Sequence, residues 1–360
     1  MKNYIKFLII CLLLPIVAVA QQRKEPARQH LNMNVLPPQQ FGNYFNLYVG
    51  NRMPFTDASV PGANGSTLYG RFLIDLGTDT TVVDPLAFKA GFVPTSPNHQ
   101  YSVTFQNGVY FGPYTQYCNI QDCSGFGANG IIESGIIGTD ILSKTIITLD
   151  YEAGRIYLSS DTNNCGKPNM MKQYGFVPVT TKGYYKNHPD NIPNHNNNPM
   201  IPIVIGDNNN SAQALAFMDS GYDDRCYVLS DPNTFYTHII NINQEYLQLL
   251  LQKGVQISVD KTNYYTLKNI TGKPDTLFKC TFAKKYVFNA IGLNGEKVLP
   301  YTTDECNVFL KVNAPGGRSA GGITDYGFPA VQIGGSMLMD YAQITIDPFR
   351  AIIWFKQRQN

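Results

Sequence analysis

The heptapeptide FLIDLGT at residues 72–78 decides the fold, because the chain contains a close variant of it, AFMDSGY, at residues 216–222. Each copy is an apolar run that ends in an aspartate, Asp75 or Asp219, followed by a short turn through a glycine. Apolar runs of this kind predict buried β-strands. An aspartate at the end of a buried strand is costly unless another group satisfies its carboxylate. The repeated pattern therefore predicts that Asp75 and Asp219 satisfy each other.

A second pair of related segments follows the two aspartates. GIIGTDIL at residues 135–142 precedes apolar runs at 146–158, and VQIGGSML at residues 331–338 precedes apolar runs at 344–355. An aspartate turn, an apolar-apolar-glycine segment and a final hairpin thus occur in the same order in both halves. This order indicates an internal duplication of domain size rather than a short solenoid repeat.

The rest of the pattern is mainly that of a β-protein. Alternating or apolar runs at residues 44–49, 68–74 and 176–179 predict strands. The one clear helix is expected over residues 243–253. Its apolar face is expected to consist of Tyr246, Leu247, Leu250 and Leu251.

The composition narrows the functional classes. The 360-residue chain has a formal net charge of +2, and only 15% of its residues are charged, below the roughly 25% typical of soluble proteins. The sequence has no basic stripe with interleaved aromatic residues, so we expect no nucleic-acid partner. A chain of this length can bury a large core and form two domain-sized units.

The first twenty residues have the features of an export signal. Lys2 and Lys6 precede an apolar run at residues 7–17, which leads to the small-residue cleavage site Ala-Val-Ala. The apolar run is too short to span a bilayer comfortably. We therefore expect a signal peptide at residues 1–20, a secreted or periplasmic protein, and no membrane association after signal removal. Residues 21–40 carry charges and prolines without periodicity, which predicts a disordered lead-in or a short pro-segment.

Six cysteines remain once Cys11 is removed with the leader. An even number of cysteines in an oxidising compartment favours disulfide bonds over free thiols. None has the CxxC spacing of a zinc ribbon or a thioredoxin-like site. The expected pairs are Cys118 with Cys123, Cys280 with Cys306, and Cys165 with Cys226.

The paired motifs resemble the pepsin-like branch of the aspartic proteases. The resemblance rests on residues 75–78, 136–138, 219–221 and 333–355, and in order and spacing it covers nearly all of residues 41–355. It implies a mainly β, bilobed fold in which two related lobes flank a central cleft. The implied boundaries are an N-terminal lobe at residues 41–160, a linker at 161–199 and a C-terminal lobe at 200–360.

The resemblance also implies an activity, that of an aspartic-type endopeptidase with Asp75 and Asp219 as its catalytic residues. Two carboxyl groups about 3 Å apart share one proton. The ionised carboxylate takes a proton from a water that attacks the peptide carbonyl, and the protonated carboxyl hydrogen-bonds the carbonyl oxygen. The resemblance further implies action in acid, polypeptide substrates or peptide-like inhibitors, a monomer, and no metal or cofactor.

The resemblance assigns supporting roles to the residues around each aspartate. Gly77 and Gly221 are expected to let the backbone turn tightly beneath the carboxylates. Thr78 matches the family position whose hydroxyl bonds to the neighbouring carboxylate. Ser220 matches the position whose hydroxyl bonds across to the opposite motif.

An Asn107-Gly108 pair between alternating runs predicts a two-residue hairpin. This hairpin lies where the family has its flap, a mobile lid over the cleft. Tyr110 is the preferred flap tyrosine because it follows the turn closely, with Tyr101 and Tyr114 as the other candidates. The alternative is a surface hairpin with ordinary cross-strand aromatic residues.

Two positions depart from the family pattern. Leu76 stands where a threonine usually bonds across to the opposite motif, so half of that crossed pair is missing. Tyr222 stands where a serine or threonine usually bonds to the second aspartate, and its hydroxyl lies a ring too far away. With Asp219 less well supported, the shared proton is expected mainly there, and Asp75 is expected to ionise more readily.

Two alternatives to a protease remain. Asp75 and Asp219 could be ordinary strand-end turn residues, since Asp-Gly turns are common. The chain could also be a catalytically weak or inactive relative of these proteases that binds peptides or proteins, as inhibitor-like members of the family do.

Overall fold

The computed structural model describes residues 41–50, 52–88, 100–101, 104–105, 116–117, 119–120, 133–182, 198–222, 238–268, 274–313 and 322–358. They belong to one compact unit that runs from Pro38 to Asn360. The architecture is mainly β, as the sequence predicts. The expected signal peptide at residues 1–20 and the lead-in at residues 21–40 lie outside the described residues.

Twelve described strands precede residue 160. They are β1 (Asn43–Asn46), β2 (Tyr48–Gly50), β3 (Met53–Pro61), β4 (Thr67–Ile74), β5 (Val82–Val83), β6 (Gln100–Tyr101), β7 (Thr104–Phe105), β8 (Gln116–Tyr117), β9 (Asn119–Ile120), β10 (Glu133–Ile137), β11 (Ile146–Asp150) and β12 (Arg155–Ser159).

Twelve more described strands follow. They are β13 (Val177–Thr180), β14 (Met200–Gly206), β15 (Ser211–Asp219), β16 (His238–Ile242), β17 (Ile257–Lys268), β18 (Pro274–Phe282), β19 (Val287–Ile291), β20 (Lys297–Thr302), β21 (Cys306–Val312), β22 (Ala330–Gly334), β23 (Tyr341–Asp347) and β24 (Ile352–Gln357). The α-helices within the described residues are α1 (Thr139–Leu142), α2 (Pro168–Gln173), α3 (Gln244–Gln252) and α4 (Gly335–Leu338).

Three large sheets organise these strands. A seven-stranded sheet, in the order β2-β3-β4-β10-β5-β9 with β7 beside β3, comes entirely from the first half of the chain. A nine-stranded sheet, in the order β17-β18-β21-β16-β22-β15-β14-β19-β20, comes entirely from the second half. A six-stranded sheet, in the order β1-β12-β11-β23-β24-β13, combines both halves. A continuous apolar core includes buried residues from all three sheets.

The internal duplication is visible in the strand pairing. β4 pairs in parallel with β10, and β15 pairs in parallel with β22. The glycine after the apolar pair has nearly the same backbone in both halves, with φ −95° and ψ −178° at Gly138 and φ −98° and ψ −177° at Gly334. A four-residue helix then follows in each half, α1 or α4. The two halves therefore repeat a strand, an apolar-glycine strand and a short helix.

The helix predicted over residues 243–253 is confirmed as α3. Its N-cap, Asn243, accepts a hydrogen bond of 3.0 Å from the backbone N–H of Tyr246, which satisfies one of the unpaired donors at a helix start. The buried face consists of Tyr246, Leu247 and Leu250. The prediction for Leu251 is wrong, because its side chain is 51% exposed. Only a narrow face of the helix packs against the nine-stranded sheet.

Candidate active site

Asp75 lies immediately after β4, in the position that its buried apolar run predicts. Its backbone N–H donates to the carbonyl of Ile137 at 3.0 Å, which extends the parallel pairing of β4 with β10 by one residue. The chain then turns back, and the N–H of Gly77 donates to the Asp75 carboxylate at 2.7 Å. The carboxyl group of Asp75 is thus buried and fixed at the carboxyl end of a central strand.

Asp219 ends β15 in the corresponding way. It lies opposite Gly334 in the parallel register of β15 and β22. A tight turn follows, in which the N–H of Tyr222 donates to the Asp219 carbonyl at 3.2 Å. Both aspartates therefore end a central strand that pairs in parallel with an apolar-glycine strand.

The structure brings the two carboxyl groups into contact. They share a hydrogen bond, and the N–H of Gly221 donates to the Asp75 carboxylate at 3.2 Å. Each glycine lies against the carboxylate of the opposite motif. A Cβ at Gly221 would lie 2.6 Å from an Asp75 oxygen, and a Cβ at Gly77 would overlap the Asp219 carboxylate. Glycine is therefore required at both positions by close approach of the two motifs.

Ser220 bonds the two motifs together. Its hydroxyl accepts from the N–H of Leu76 at 2.9 Å and donates to the carbonyl of Ile74 at 2.7 Å. All three residues are fully buried. The crossed bond expected from Ser220 is therefore present in the structure.

Leu76 cannot return this bond because it has no hydroxyl. Its side chain belongs to the main apolar core instead. The carbonyl of Leu76 accepts a hydrogen bond of 2.7 Å from the side-chain amide of Asn198, which is fully buried. Asn198 lies just before β14. Its side chain therefore adds a second polar contact to the first aspartate motif.

A buried polar cluster lies behind Asp219, and we call it the Gln332 network. Gln332 donates to the Asp219 carboxylate at 2.6 Å. The side-chain oxygen of Gln332 accepts from Asn241 at 3.0 Å and from Lys311 at 3.3 Å. Asn241 also donates to the Tyr222 hydroxyl at 2.7 Å, and Lys311 forms an ion pair of 3.4 Å with Asp275. The network comprises Gln332, Asn241, Tyr222, Lys311 and Asp275.

The surroundings of the two carboxyl groups differ, and they affect the two pKa values differently. Burial, then the negative charge of Asp219, raises the pKa of Asp75 well above its ordinary value. Burial also raises the pKa of Asp219, and the hydrogen bond from Gln332 and the positive charge of Lys311 offset part of that rise. Asp219 thus receives from Gln332 a hydrogen bond that the sequence analysis did not include.

Thr78 acts differently from the expectation, and the Tyr222 hydroxyl is linked to Asp219 indirectly. The carbonyl of Thr78 accepts from the N–H of Thr139 at 2.9 Å, which holds α1 against the first turn. Within the described residues, the Thr78 hydroxyl makes no hydrogen bond to Asp75. The Tyr222 hydroxyl is linked to the Asp219 carboxylate through Asn241 and Gln332.

The proposed flap lies outside the described residues. This applies to the predicted Asn107-Gly108 turn and to the candidates Tyr110 and Tyr114. The backbone of Tyr101 is described as part of the short strand β6. The flap assignment therefore stays a prediction.

The expected Cys280–Cys306 disulfide is contradicted by the structure, which has both residues as free buried thiols. Lys279 lies opposite Phe309 in the register of β18 and β21, so Cys280 lies opposite Val308 and diagonal to Cys306. Diagonal neighbours are about 7–8 Å apart, farther than a disulfide usually spans. Burial raises the pKa of Cys280 to about 12. Cys165 is also a free buried thiol, while its expected partner Cys226 and the pair Cys118 and Cys123 lie outside the described residues.

Four polar residues around the two aspartate motifs were missed at the level of the sequence. Gln332 and Lys311 interrupt apolar runs, in the sequences VQI at 331–333 and FLKV at 309–312. A polar residue inside an apolar run was the signal that could have identified them. Asn198 was assigned to the polar linker, where it ends a run of three asparagines. Asn241 lies opposite Gln332 on β16, a pairing that only the fold creates.

No protein-family model matches this chain, and no curated protein matches it at a significant level. Among the described residues, no group of three or more His, Cys, Asp or Glu side chains is arranged to hold a metal ion. No helix in the described part of the chain is long and apolar enough to span a bilayer. The functional conclusion therefore depends on the geometry of the site.

Proposed function

We propose that the protein is an aspartic-type endopeptidase of the pepsin-like kind, with Asp75 and Asp219 as its catalytic pair. One observation carries this proposal: the carboxyl groups of Asp75 and Asp219, from duplicated motifs, each lie against the glycine turn of the opposite motif. Separation of pKa values within a pair of acids is the usual means of assigning acid and base roles. The bilobed arrangement around a cleft is part of the same proposal.

The reaction follows from the protonation states. Asp219, as the ionised carboxylate, takes a proton from a water whose oxygen attacks the carbonyl carbon of the scissile peptide. Asp75 donates its proton to the carbonyl oxygen as that oxygen gains negative charge. The tetrahedral intermediate then collapses, the C–N bond breaks, and the leaving nitrogen takes the proton from Asp219. One of the two hydroxyl groups of the intermediate gives its proton to Asp75 as the new carbonyl forms, which restores the starting state.

The pH range of the proposed activity is set by the pair. Catalysis requires the singly protonated pair, so activity rises as Asp219 ionises and falls when Asp75 loses its proton. A bell-shaped profile is expected. We further propose that the protein is exported and acts on unfolded or extended polypeptides in acidic surroundings.

The test is cleavage of an unfolded protein, followed by mass spectrometry of the peptides, from acid to neutral pH. Asp75→Asn and Asp219→Asn are each expected to reduce cleavage about 10³-fold or more, because neither carboxyl can perform both proton transfers. Asp304→Asn is the matched control, since Asp304 is an exposed carboxylate in a weak surface ion pair. Loss of activity in the control, or full activity in either pair variant, would contradict the proposal.

A second candidate function, peptide binding without cleavage, is favoured by Leu76, which removes one half of the crossed hydrogen bonds. This candidate predicts that the wild-type protein binds peptides and cleaves none at any pH. Isothermal titration calorimetry with a peptide-like inhibitor of aspartic proteases, combined with the cleavage assay, separates the two candidates. Binding with cleavage supports the protease, and binding without cleavage supports the binding module.

A further inference from the structure

We infer that Gln332 is a positioning residue, held in one orientation by Lys311 and Asn241, that keeps Asp219 as the ionised member of the pair. The inference rests on the proposed function, because it gives Asp219 the role of base and Asp75 the role of acid. It adds a residue outside both aspartate motifs to the site.

The orientation of the Gln332 amide is fixed by its neighbours. Its oxygen faces the Lys311 ammonium at 3.3 Å and the Asn241 amide nitrogen at 3.0 Å. An ammonium has three donors and no acceptor, so the amide oxygen must face Lys311. The amide nitrogen is therefore directed to Asp219, where it donates at 2.6 Å.

A group that only donates selects the charged form of its partner. The amide nitrogen of Gln332 cannot accept a proton, so the Asp219 oxygen that it touches must act as an acceptor. Hydrogen bonds to the charged form of an acid favour that form. A hydrogen bond in the protein interior is stronger than one at the surface, and Gln332 is only 2% exposed.

The charged and titratable groups around the Asp219 carboxylate come from several elements of the fold. Asp75, at the end of β4, is the acid in contact with Asp219, and burial followed by the negative charge of Asp219 raises its pKa. Lys311, on β21, is a buried cation that is paired with Asp275 on β18. Tyr326 lies near Asp219, and burial raises the pKa of Tyr326 so that its hydroxyl stays neutral. Lys311 is thus the positive charge in the described surroundings that favours ionised Asp219.

The two halves of the duplication differ at this position. Gln332 lies two residues before Gly334, and its counterpart two residues before Gly138 is Ile136, a buried apolar residue. The first half therefore offers an apolar side chain where the second half offers a donor. The difference in hydrogen bonding between Asp75 and Asp219 therefore comes from a residue of β22, outside the aspartate motifs.

The test is the order in which the two carboxyl groups titrate. In wild-type protein with ¹³C-labelled aspartate, the side-chain carbon of Asp219 is expected to carry most of the first titration step. In Gln332→Met, which keeps the side-chain size and removes the donor, that step moves up by about one pH unit. The acid limb of kcat/KM moves with it, and KM is unchanged.

The matched control is Gln343→Met. Gln343 is also buried and donates to a carboxylate, that of Asp150 at 2.7 Å, in the six-stranded sheet. It is expected to lower stability without moving the titration of Asp219. A purely structural role of Gln332 would give the same result for both variants, and this outcome would overturn the inference.

The outcomes also separate the inference from the proposed function. If the wild-type protein cleaves peptides while Asp75 ionises first, the inference is overturned and the proposed function stands. If Asp219 ionises first and no peptide is cleaved, the proposed function fails and the positioning of Asp219 by Gln332 is supported. The wild-type titration decides the order even if Gln332→Met does not fold.

Discussion

The side-chain oxygens of Thr148 and Thr345 lie 2.7 Å apart in the interior of the six-stranded sheet, although the two residues are separated by 197 positions in the chain. They face each other in register on β11 and β23. These strands occupy corresponding positions in the two halves of the duplication, each following a four-residue helix. The hydrogen bond therefore joins the halves through equivalent residues.

Thr148→Val is expected to destabilise the protein by about 1–3 kcal/mol, because it leaves the buried Thr345 hydroxyl without its partner. The double variant with Thr345→Val is expected to regain most of this loss, since two apolar groups of the same shape replace the bonded pair. Urea unfolding of the wild type, both single variants and the double variant measures the coupling. Additive losses would show that the two hydroxyls do not interact.

Ser220→Ala is expected to cost about 1–3 kcal/mol for each of the two buried backbone groups that it leaves unpaired, at Leu76 and Ile74. It is also expected to lower the cleavage rate, because the crossed bond keeps the two carboxyl groups in contact. Ser59→Ala is the matched control, since the buried Ser59 hydroxyl bonds, among the described residues, to the Thr104 carbonyl alone, at 3.2 Å. Equal losses of stability for the two variants would contradict a special role for Ser220.

Gly77→Ala is expected to abolish activity and to destabilise the fold by about 1–3 kcal/mol, because the new methyl group would overlap the Asp219 carboxylate. Gly327→Ala is the control, as a Cβ at Gly327 would meet no atom within 4 Å. Thermal unfolding and the cleavage assay are measured for both. A Gly77→Ala protein with wild-type activity would mean that the two motifs do not approach as closely as they do here.

The raised pKa of Asp75 predicts a specific dependence of stability on pH. The folded protein binds more protons than the unfolded chain from about pH 3.9, the ordinary pKa of an aspartate, up to the raised value. The free energy of unfolding therefore falls as pH rises through that window. Asp75→Asn is expected to weaken this fall and to be more stable than wild type at neutral pH. Melting temperatures across the pH series, with Asp304→Asn as the control, test the sign.

Local patterns made part of this structure predictable from the sequence. The strands that end at Asp75 and Asp219, the apolar-glycine segments and helix α3 all follow from the spacing of apolar residues and from turn or cap residues nearby. The contact between Asp75 and Asp219 was predicted from the free-energy cost of a buried carboxylate that no other group satisfies. Such reasoning works because each inference depends on a few adjacent residues and one physical requirement.

Contacts between distant strands were not predictable in the same way. Gln332 meets Asp219 across 113 positions of sequence, and Asn241 meets Gln332 across 91. The assignment of the proton to Asp219 stays a prediction, and it considered only Tyr222 as a source of support, without the hydrogen bond from Gln332. The Cys280–Cys306 pair was wrong for a related reason, since the register of β18 and β21 offsets the two thiols.

The strand order of the six-stranded sheet has a consequence for biosynthesis. The last hairpin of the chain, β23 and β24, is inserted between β11 and β13, which are both synthesised much earlier. Until the ribosome has released the C-terminal residues, each of those earlier strands has an edge that lacks its final partner, and unpaired edges promote aggregation. The sheet therefore closes only after translation is complete, so the nascent chain requires protection during synthesis and any export. A product truncated before residue 341 would leave both edges open and would be a target for quality-control proteolysis.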